Sequence, residues 1–587
     1  MGGLSGSEGS MLIDSRVIVY DESAPSAPIS TLLEREVEIA FTELTAGKPD
    51  RARGFFFATC ADFDPFNESA PDGVLGAQVA ARRLLTTMAN TGDLRRWYML
   101  ARSSESHPVD RVPQGLLTEH LVSGPMFWRS VVAEADTLLR SEFVHALVAL
   151  GPVSMEHVML RARTNTFGIP SVSFTHTILD APAIWLGFAT GPSTPADLII
   201  SPSLAGKRAT EAHLARVDDA CGRQVFQGEI AVIPYGVTAA PKLPARADAR
   251  KALGWAEDEI VLLSVSRLDR DFKFDPTPLL LIFARLHERA GKKVRLVLAG
   301  AASDHEAVRF EQVAMGLGLS AQIEIRPNFP FALKPMLHAG ADVFVAFSDN
   351  YQETHGLAVL DAMAAGLPVI AADWSGYRET VVDGVTGLLV PTRVRHPDPA
   401  LMLIAAAQPG RAVPSFQPEQ VIIDLPKTLD AMRSLVGDAD KRAKMGAAGA
   451  QRVRELFDAE KTAKATMERI AQSITSARAF EGKRFDLGAD WARTYLAFAS
   501  SEVTASALVE RGPWSLAALP AVVHHELGLA GRKQIAAMLS HAYDALDAPL
   551  SMAELVAKVA PAFTLLNGPA IERWLVRAAK YGVFSIS

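Results

Sequence analysis

Cysteine is nearly absent: Cys60 and Cys221 are the two in 587 residues. Two thiols cannot build a disulfide framework. Such sparing use suits a reducing cytosol, where both are expected to be inert core thiols. Long hydrophobic runs are missing as well: no apolar stretch reaches the roughly eighteen residues of a membrane span, and the N-terminal residues lack a basic region followed by an apolar one. The expectation is a cytoplasmic protein. Positive charge is not in surplus, since the net charge is −7, so no global field draws nucleic acid. A Walker loop, zinc-ligand spacing and a Gly-x-Ser-x-Gly elbow do not occur.

What is present suits a large enzyme. Hydrophobic residues make up 49% of the chain, charged residues 21%, and there are 41 glycines, enough for three or four domains at about 150 residues each. Residues 1–10, MGGLSGSEGS, are rich in Gly and Ser and read as part of a flexible tail spanning 1–28, with Met11 an alternative start. From about residue 53 short apolar runs alternate with helical stretches: 54–60, 95–100, 144–150, 170–174, 197–201 and 230–237 read as strands. TAAPKLPARADAR then reads as a Pro/Ala-rich link, and a second series runs from 260–268 through VRLVLAG, QIEIRP, DVFVAF, PVIAA and TGLLVP. Alternating strand and helix means parallel sheets. The boundaries drawn from this pattern are 29–240 for a first domain, 241–480 for a second and 481–587 for a helical extension.

Residues 342–372, DVFVAFSDNYQETHGLAVLDAMAAGLPVIAA, concentrate the functional signal. Residues 342–347 read as a buried strand, 348–354 as a polar loop, 356–365 as a helix and 367–372 as a further strand. Ligands of open parallel sheets sit at the carboxyl ends of strands, which is where Glu353 falls. The amides of His355, Gly356 and Leu357 are expected to be free at the helix terminus. Free amides and the helix dipole favour phosphate, and a carboxylate on either side accepts hydrogen bonds from sugar hydroxyls. Phosphate and sugar in one site suggest an activated sugar.

The segment resembles the E-x7-E signature of glycosyltransferase family 4, retaining enzymes of the GT-B fold, in which two Rossmann-like domains face a cleft. The motif runs here from Glu353 to Asp361, and the likeness extends through GLAVLDAMAAGLPVIAADWSGYRETVVDGVTGLLVP, ending near Thr392. The resemblance implies that Glu353 contacts the donor sugar, that Asp361 contacts the nucleotide ribose, and that the amides of His355, Gly356 and Leu357 meet the diphosphate. Asp361 departs from the pattern, since Asp in place of Glu shortens the reach by roughly 1.5 Å. Beyond the fold, the resemblance implies a UDP- or GDP-sugar as co-substrate and no cofactor.

Arg267 and Lys273 lie in SRLDRDFK, at the carboxyl end of the strand beginning at 260. Two cations there can hold a diphosphate and stabilise the charge that grows on the leaving phosphate. The family places an Arg and a Lys at this loop. PDGVLGAQVAARRLL resembles the glycine-containing turn that opens the family's first helix, with Gly76 the candidate for close approach to donor or acceptor. His176, in SVSFTHTILD, matches a cleft-facing histidine near the donor sugar and joins Glu353 as a candidate catalytic residue. Read without the resemblance, it is a hydrogen-bonded structural histidine. Three Asp-x-Asp triplets begin at Asp62, Asp269 and Asp438. About that many arise by chance in such a chain, and hard cations need several converging oxygens, so no metal site is assigned.

Residues 393–425 form a Pro-rich insertion of no legible function, and the helices at 427–479 resemble those that close the GT-B fold and brace the first domain. Beyond 480 the chain reads as short helices: the stretch after Gly531, 551–559 and 569–587. The last two suit a helix-turn-helix without a complete wing. Ten Lys/Arg against ten Asp/Glu in 481–587 argue against nucleic acid and for packing, homodimerisation or a protein partner. Arg82, Arg83, Arg95, Arg96, Trp97 and Tyr98 form a basic and aromatic cluster that suits peripheral contact with anionic lipid, although Trp97 and Tyr98 fall in a strand and suit core packing better.

The sequence therefore points to a metal-independent retaining glycosyltransferase that moves a sugar from a nucleoside diphosphate to an acceptor. Two alternatives stay open. One is a nucleotide-sugar epimerase of similar fold, which needs no acceptor. The other is a non-catalytic GT-B scaffold for a protein partner.

Overall fold

The computed structural model describes residues 55–61, 94–101, 118–121, 144–149, 166–176 and 191–395 apart from 271–272, 292 and 351–352, then 420–480, and 503–587 apart from 528, 530–532, 565 and 567, with parts of helices within 80–88, 157–162 and 188–189. Gly76, Asp62, Arg82 and residues 396–419 of the Pro-rich insertion lie outside the described residues. The chain divides into two compact units, a large one that holds both parallel sheets and a C-terminal one that holds 503–587.

The first sheet contains β1 (Phe55–Ala61), β2 (Leu94–Ala101), β3 (Thr118–Leu121), β4 (Ala146–Ala149), β5 (Ser171–Phe174), β6 (Leu198–Ser201) and β7 (Glu229–Val232). All pair in parallel, in the order β3-β2-β1-β4-β5-β6-β7. Strands β4, β5 and β6 are buried along their whole length, because helices cover both faces of a parallel sheet. Strand β3, TEHL, was not expected: it has no apolar run to announce it. Helix α1 (Leu204–Cys221) joins β6 to β7. It corrects one expectation, since Cys221 at its end is exposed rather than a core thiol.

The second domain begins with α2 (Arg246–Leu253) and builds a six-stranded sheet from β8 (Ile260–Val265), β9 (Val294–Gly300), β10 (Ile323–Pro327), β11 (Val343–Ala346), β12 (Val369–Ala372) and β13 (Gly387–Val390). The interleaved helices are α3 (Thr277–His287), α4 (Asp304–Gly316), α5 (Lys334–Gly340), α6 (Leu357–Ala364) and α7 (Tyr377–Thr380). Strand order is β10-β9-β8-β11-β12-β13, again all parallel. Fully buried Phe283, Phe310 and Phe344 fill the core beside Leu296 and Leu298, each contributing about 1.5–3 kcal/mol of burial. Chain order reverses between β8 and β11. In a doubly wound sheet a crevice opens at such a reversal, between the loops that leave the two strands at their carboxyl ends.

Strands β14 (Thr392–Val394) and β15 (Val421–Ile423) pair antiparallel and bring the two ends of the insertion together. Helices α8 (Leu425–Gly437), α9 (Ala439–Leu456) and α10 (Ala459–Ala477) follow, each started by an Asp whose side chain accepts from the first-turn amides: Asp424, Asp438 and Asp458. Such caps stabilise a helix by about 1 kcal/mol. The chain then crosses back to the first sheet. The Val237 amide donates to the Phe457 carbonyl at 2.9 Å, and a Cβ on neighbouring Gly236 would come within 2.4 Å of the Ala459 Cα, so glycine is required where α10 begins. Ala463, Met467, Ile470 and Ile474 of α10 join Ala80, Val148, Val172 and Phe174 in one core. The closing helix is thus part of the first domain's interior.

In the C-terminal unit, β16 (Leu508–Arg511), α11 (Ala521–Leu527), α12 (Lys533–Asp544), β17 (Leu550–Ser551), α13 (Met552–Val559), α14 (Gly568–Ala579) and β18 (Phe584–Ile586) enclose a core of Leu527, Met538, Leu539, Leu555, Ile571, Leu575 and Val583. Helices α12, α13 and α14 were expected; α11 was not. The unit's antiparallel sheet, ordered β17-β16-β18, was not expected either. These strands are two to four residues long, and in β16 Val509 is the buried residue, too little alternation for a period of two to register.

Candidate active site

The crevice between β8 and β11 gathers two loops, residues 266–276 after β8 and 347–356 after β11. Lys273 is on the first and Glu353 on the second. The Lys273 Nζ donates to Glu353 Oε2 at 2.5 Å, and the Tyr377 hydroxyl donates to the same oxygen at 3.2 Å. The other oxygen, Oε1, accepts the His355 amide at 3.1 Å. Burial works against ionisation of Glu353, but the Lys273 charge and these hydrogen bonds outweigh it and hold the carboxyl below its ordinary range. Glu353 is therefore a buried, ionised and oriented carboxylate.

The conformation that presents it depends on Gly356. This residue has φ of 88°, and a Cβ there would lie 2.4 Å from the Tyr377 ring. Only glycine allows Tyr377 to pack under the loop and reach Glu353. One expectation is corrected here. The His355 amide is not free but is taken by Glu353; among the described residues the Gly356 and Leu357 amides carry no hydrogen bond. The His355 ring turns the other way, with Nε2 2.9 Å from the Tyr235 carbonyl of the first domain, and burial lowers its pKa. His176 stacks on the Tyr235 ring with centroids 4.8 Å apart. The two histidines thus flank Tyr235 from opposite domains.

Asp361, one turn into α6, is equally occupied. Arg83 forms a bidentate pair with it at 2.9 and 3.0 Å, and Lys334 Nζ, at the start of α5, lies 2.5 Å from Oδ2. Burial raises the Asp361 pKa, yet Lys334 and Arg83 together bring it down to about 2. Sequence reasoning missed both partners in this role. Lys334 stands in no motif, and Arg83 was grouped with a lipid-facing cluster, whereas its guanidinium faces Asp361. The trace available was the shortened acid itself, which leaves room for a cation. Arg267 lies 3.9 Å from Asp269 on its own loop. Glu379 of α7 makes another tie between domains, accepting the Leu204 and Ala205 amides at 2.7 and 2.9 Å and so capping α1.

Two of the Asp-x-Asp triplets have local structural uses. Asp269 pairs with Arg267, and Asp438 caps α9. Among the described residues no three His, Cys, Asp or Glu side chains converge as metal ligands, and no helix is long and apolar enough to cross a membrane.

Residues 245–398, which contain both loops of this crevice, match the family model described as glycosyl transferases group 1. The chain carries a group 1 glycosyltransferase domain. D-inositol 3-phosphate glycosyltransferases are similar to it over a longer span: the Geodermatophilus obscurus protein is 29% identical over 57% of this chain and 78% of its own, and the Actinosynnema mirum protein is 27% identical over 56% and 82%. Among solved structures, sucrose-phosphate synthase from Thermosynechococcus elongatus has a TM-score of 0.51 at 20% identity, covering 72% of this chain and 100% of that one. Anabaena HepE in complex with UDP has a TM-score of 0.51 at 17% identity, covering 71% and 100%. At these identities the structural likeness is one of fold. The chain thus has the GT-B fold of two parallel-sheet domains, extended by a C-terminal unit.

Proposed function

We propose that this glycosyltransferase is a metal-independent, retaining enzyme that transfers a hexose-like sugar from a UDP- or GDP-sugar to an acceptor hydroxyl. The observation that carries the reading is the Lys273–Glu353 pair at the reversal between β8 and β11, beside the unbonded Gly356 and Leu357 amides. A carboxylate fixed by three donors keeps about one of its four acceptor sites for a sugar hydroxyl, and the lysine and amides supply positive potential for a diphosphate. HepE, of similar fold, is described with UDP bound, which supports a nucleotide in this cleft.

In this reading the sugar is oriented by Glu353, with His176 contributed by the first domain. As the bond between the anomeric carbon and the phosphate oxygen breaks, Lys273, Arg267 and the two amides stabilise the charge on the leaving diphosphate. The acceptor proton passes to that phosphate and the acceptor oxygen bonds the same face of the sugar. Asp361 has three donors on it already, which leaves about one of four acceptor sites for a ribose hydroxyl. Glu353 carries the same number of donors, but all of them come from the second domain.

The test is a panel of UDP- and GDP-sugars with an acceptor series beginning at D-inositol 3-phosphate, the compound in the relatives' name, with products identified by NMR. A glycoside with the donor's anomeric configuration is expected. An altered sugar nucleotide formed without acceptor makes the protein an epimerase. Failure to bind any sugar nucleotide makes it a scaffold.

A further inference from the structure

Asp349 is the remaining acid of the β8/β11 crevice, and the reading above gives it no task. It lies on the loop that leaves β11, and the residue is buried, with 7% relative exposure. One oxygen, Oδ2, accepts the Asp275 amide at 3.2 Å, across from the β11 loop to the β8 loop. Asp275 lies two residues beyond Lys273, and its own side chain accepts the Thr277 amide at 2.9 Å, at the start of α3. The other end of the Lys273 turn is tied by its backbone, with the Lys273 and Phe274 amides both donating to the Asp269 carbonyl. Asp349 therefore holds the second end of the turn that aims Lys273 at Glu353. Its other oxygen, Oδ1, is buried and has no hydrogen-bond partner among the described residues.

A buried carboxyl oxygen without a partner costs about 1–3 kcal/mol, a cost that a bound ligand removes. We propose that Asp349 is a further residue of the donor site: Oδ2 fixes the loop that carries Lys273, and Oδ1 hydrogen-bonds the sugar nucleotide. This rests on the reading of the crevice as a nucleotide-sugar site. The charged group that faces Asp349 from the opposing loop is another acid, Asp275, while Lys273 and Glu353 on the same two loops neutralise each other. Burial, with the repulsion of Asp275, pushes the Asp349 carboxyl up to about 7 despite the amide it accepts. Near neutrality it is thus available as a carboxylic acid, with its proton on Oδ1 to give to an anionic or hydroxylated donor.

The experiment is donor kinetics and calorimetry from pH 5.5 to 8.5 on the full chain, with UDP-glucose and GDP-mannose as probes, for wild type, Asp349→Asn and Asp349→Leu. Asparagine accepts the Asp275 amide and donates as the protonated acid does. Wild-type kcat/KM is expected to fall as pH rises through about 7. The Asn variant should lose that limb and stay within about threefold of wild type at pH 6, while Leu should lose about tenfold or more, mostly in donor KM, with its circular dichroism unchanged. Wild-type behaviour of Leu overturns the proposal. So does an Asn variant as poor as Leu with a wild type that improves on raising pH, which would give the role to the ionised carboxylate. Either result leaves wild-type donor binding intact; loss of the crevice reading itself shows instead as a wild type that binds neither probe.

Discussion

Glu353 is a buried acid and Asp361 a partly buried one, each with a lysine 2.5 Å away, but they differ in where their partners come from. Lys273, Tyr377 and the His355 amide all belong to the second domain, so the Glu353 site is assembled by one fold. Asp361 takes a bidentate arginine from the first domain as well. The first acid is preorganised at the reversal of a sheet; the second reports how two domains meet. Preorganisation is what electrostatic catalysis requires, so the larger functional effects are expected at Glu353.

The largest effect should come from Glu353→Gln, which is isosteric but removes the charge and one acceptor. Turnover is expected to fall by about a hundredfold or more, as for loss of a preorganised electrostatic contact, in a variant that stays folded by circular dichroism. Near-normal turnover in this variant would erase the distinction between the two acids. Asp361→Asn should act on stability instead, since two cations lose their counter-charge. With a native pKa near 2 against an unfolded value of 3.8, the carboxylate's contribution is fully present above pH 4 and is lost as pH falls toward 2. It amounts to about 2 kcal/mol, read as a shift of the denaturant midpoint between pH 7 and pH 2.5 that the variant lacks. The smallest effect is expected from Arg83→Met: freeing two acceptor sites on Asp361 should lower the donor KM by about twofold to fivefold and leave kcat unchanged. A higher KM would mean that Arg83 itself holds the nucleotide.

The same contrast explains what the sequence made legible. The second domain announces itself because its strands are continuous apolar runs and the Glu353 loop is a contiguous motif; Lys273, eighty positions earlier, was found because the β8 loop has its own pattern. Arg83 is 278 positions from Asp361, and neither periodicity nor spacing links an exposed-looking arginine to a distant carboxylate. The His355 amide was misjudged for a related reason. A helix terminus predicts free donors, but which donor an adjacent carboxylate takes depends on the loop's backbone, here set by the left-handed Gly356. Asp349 was passed over because an acid in a polar loop reads as solvated. Its burial follows from the approach of a second loop across the sheet.

The most direct test of the central claim, that the Lys273–Glu353 pair is the donor site, is calorimetric titration of UDP-glucose and GDP-mannose into wild type and Lys273→Met. The account predicts saturable binding of at least one sugar nucleotide by wild type and an affinity about tenfold or more weaker in the variant, as for loss of a charged hydrogen bond. Equal affinity in the two proteins would contradict it.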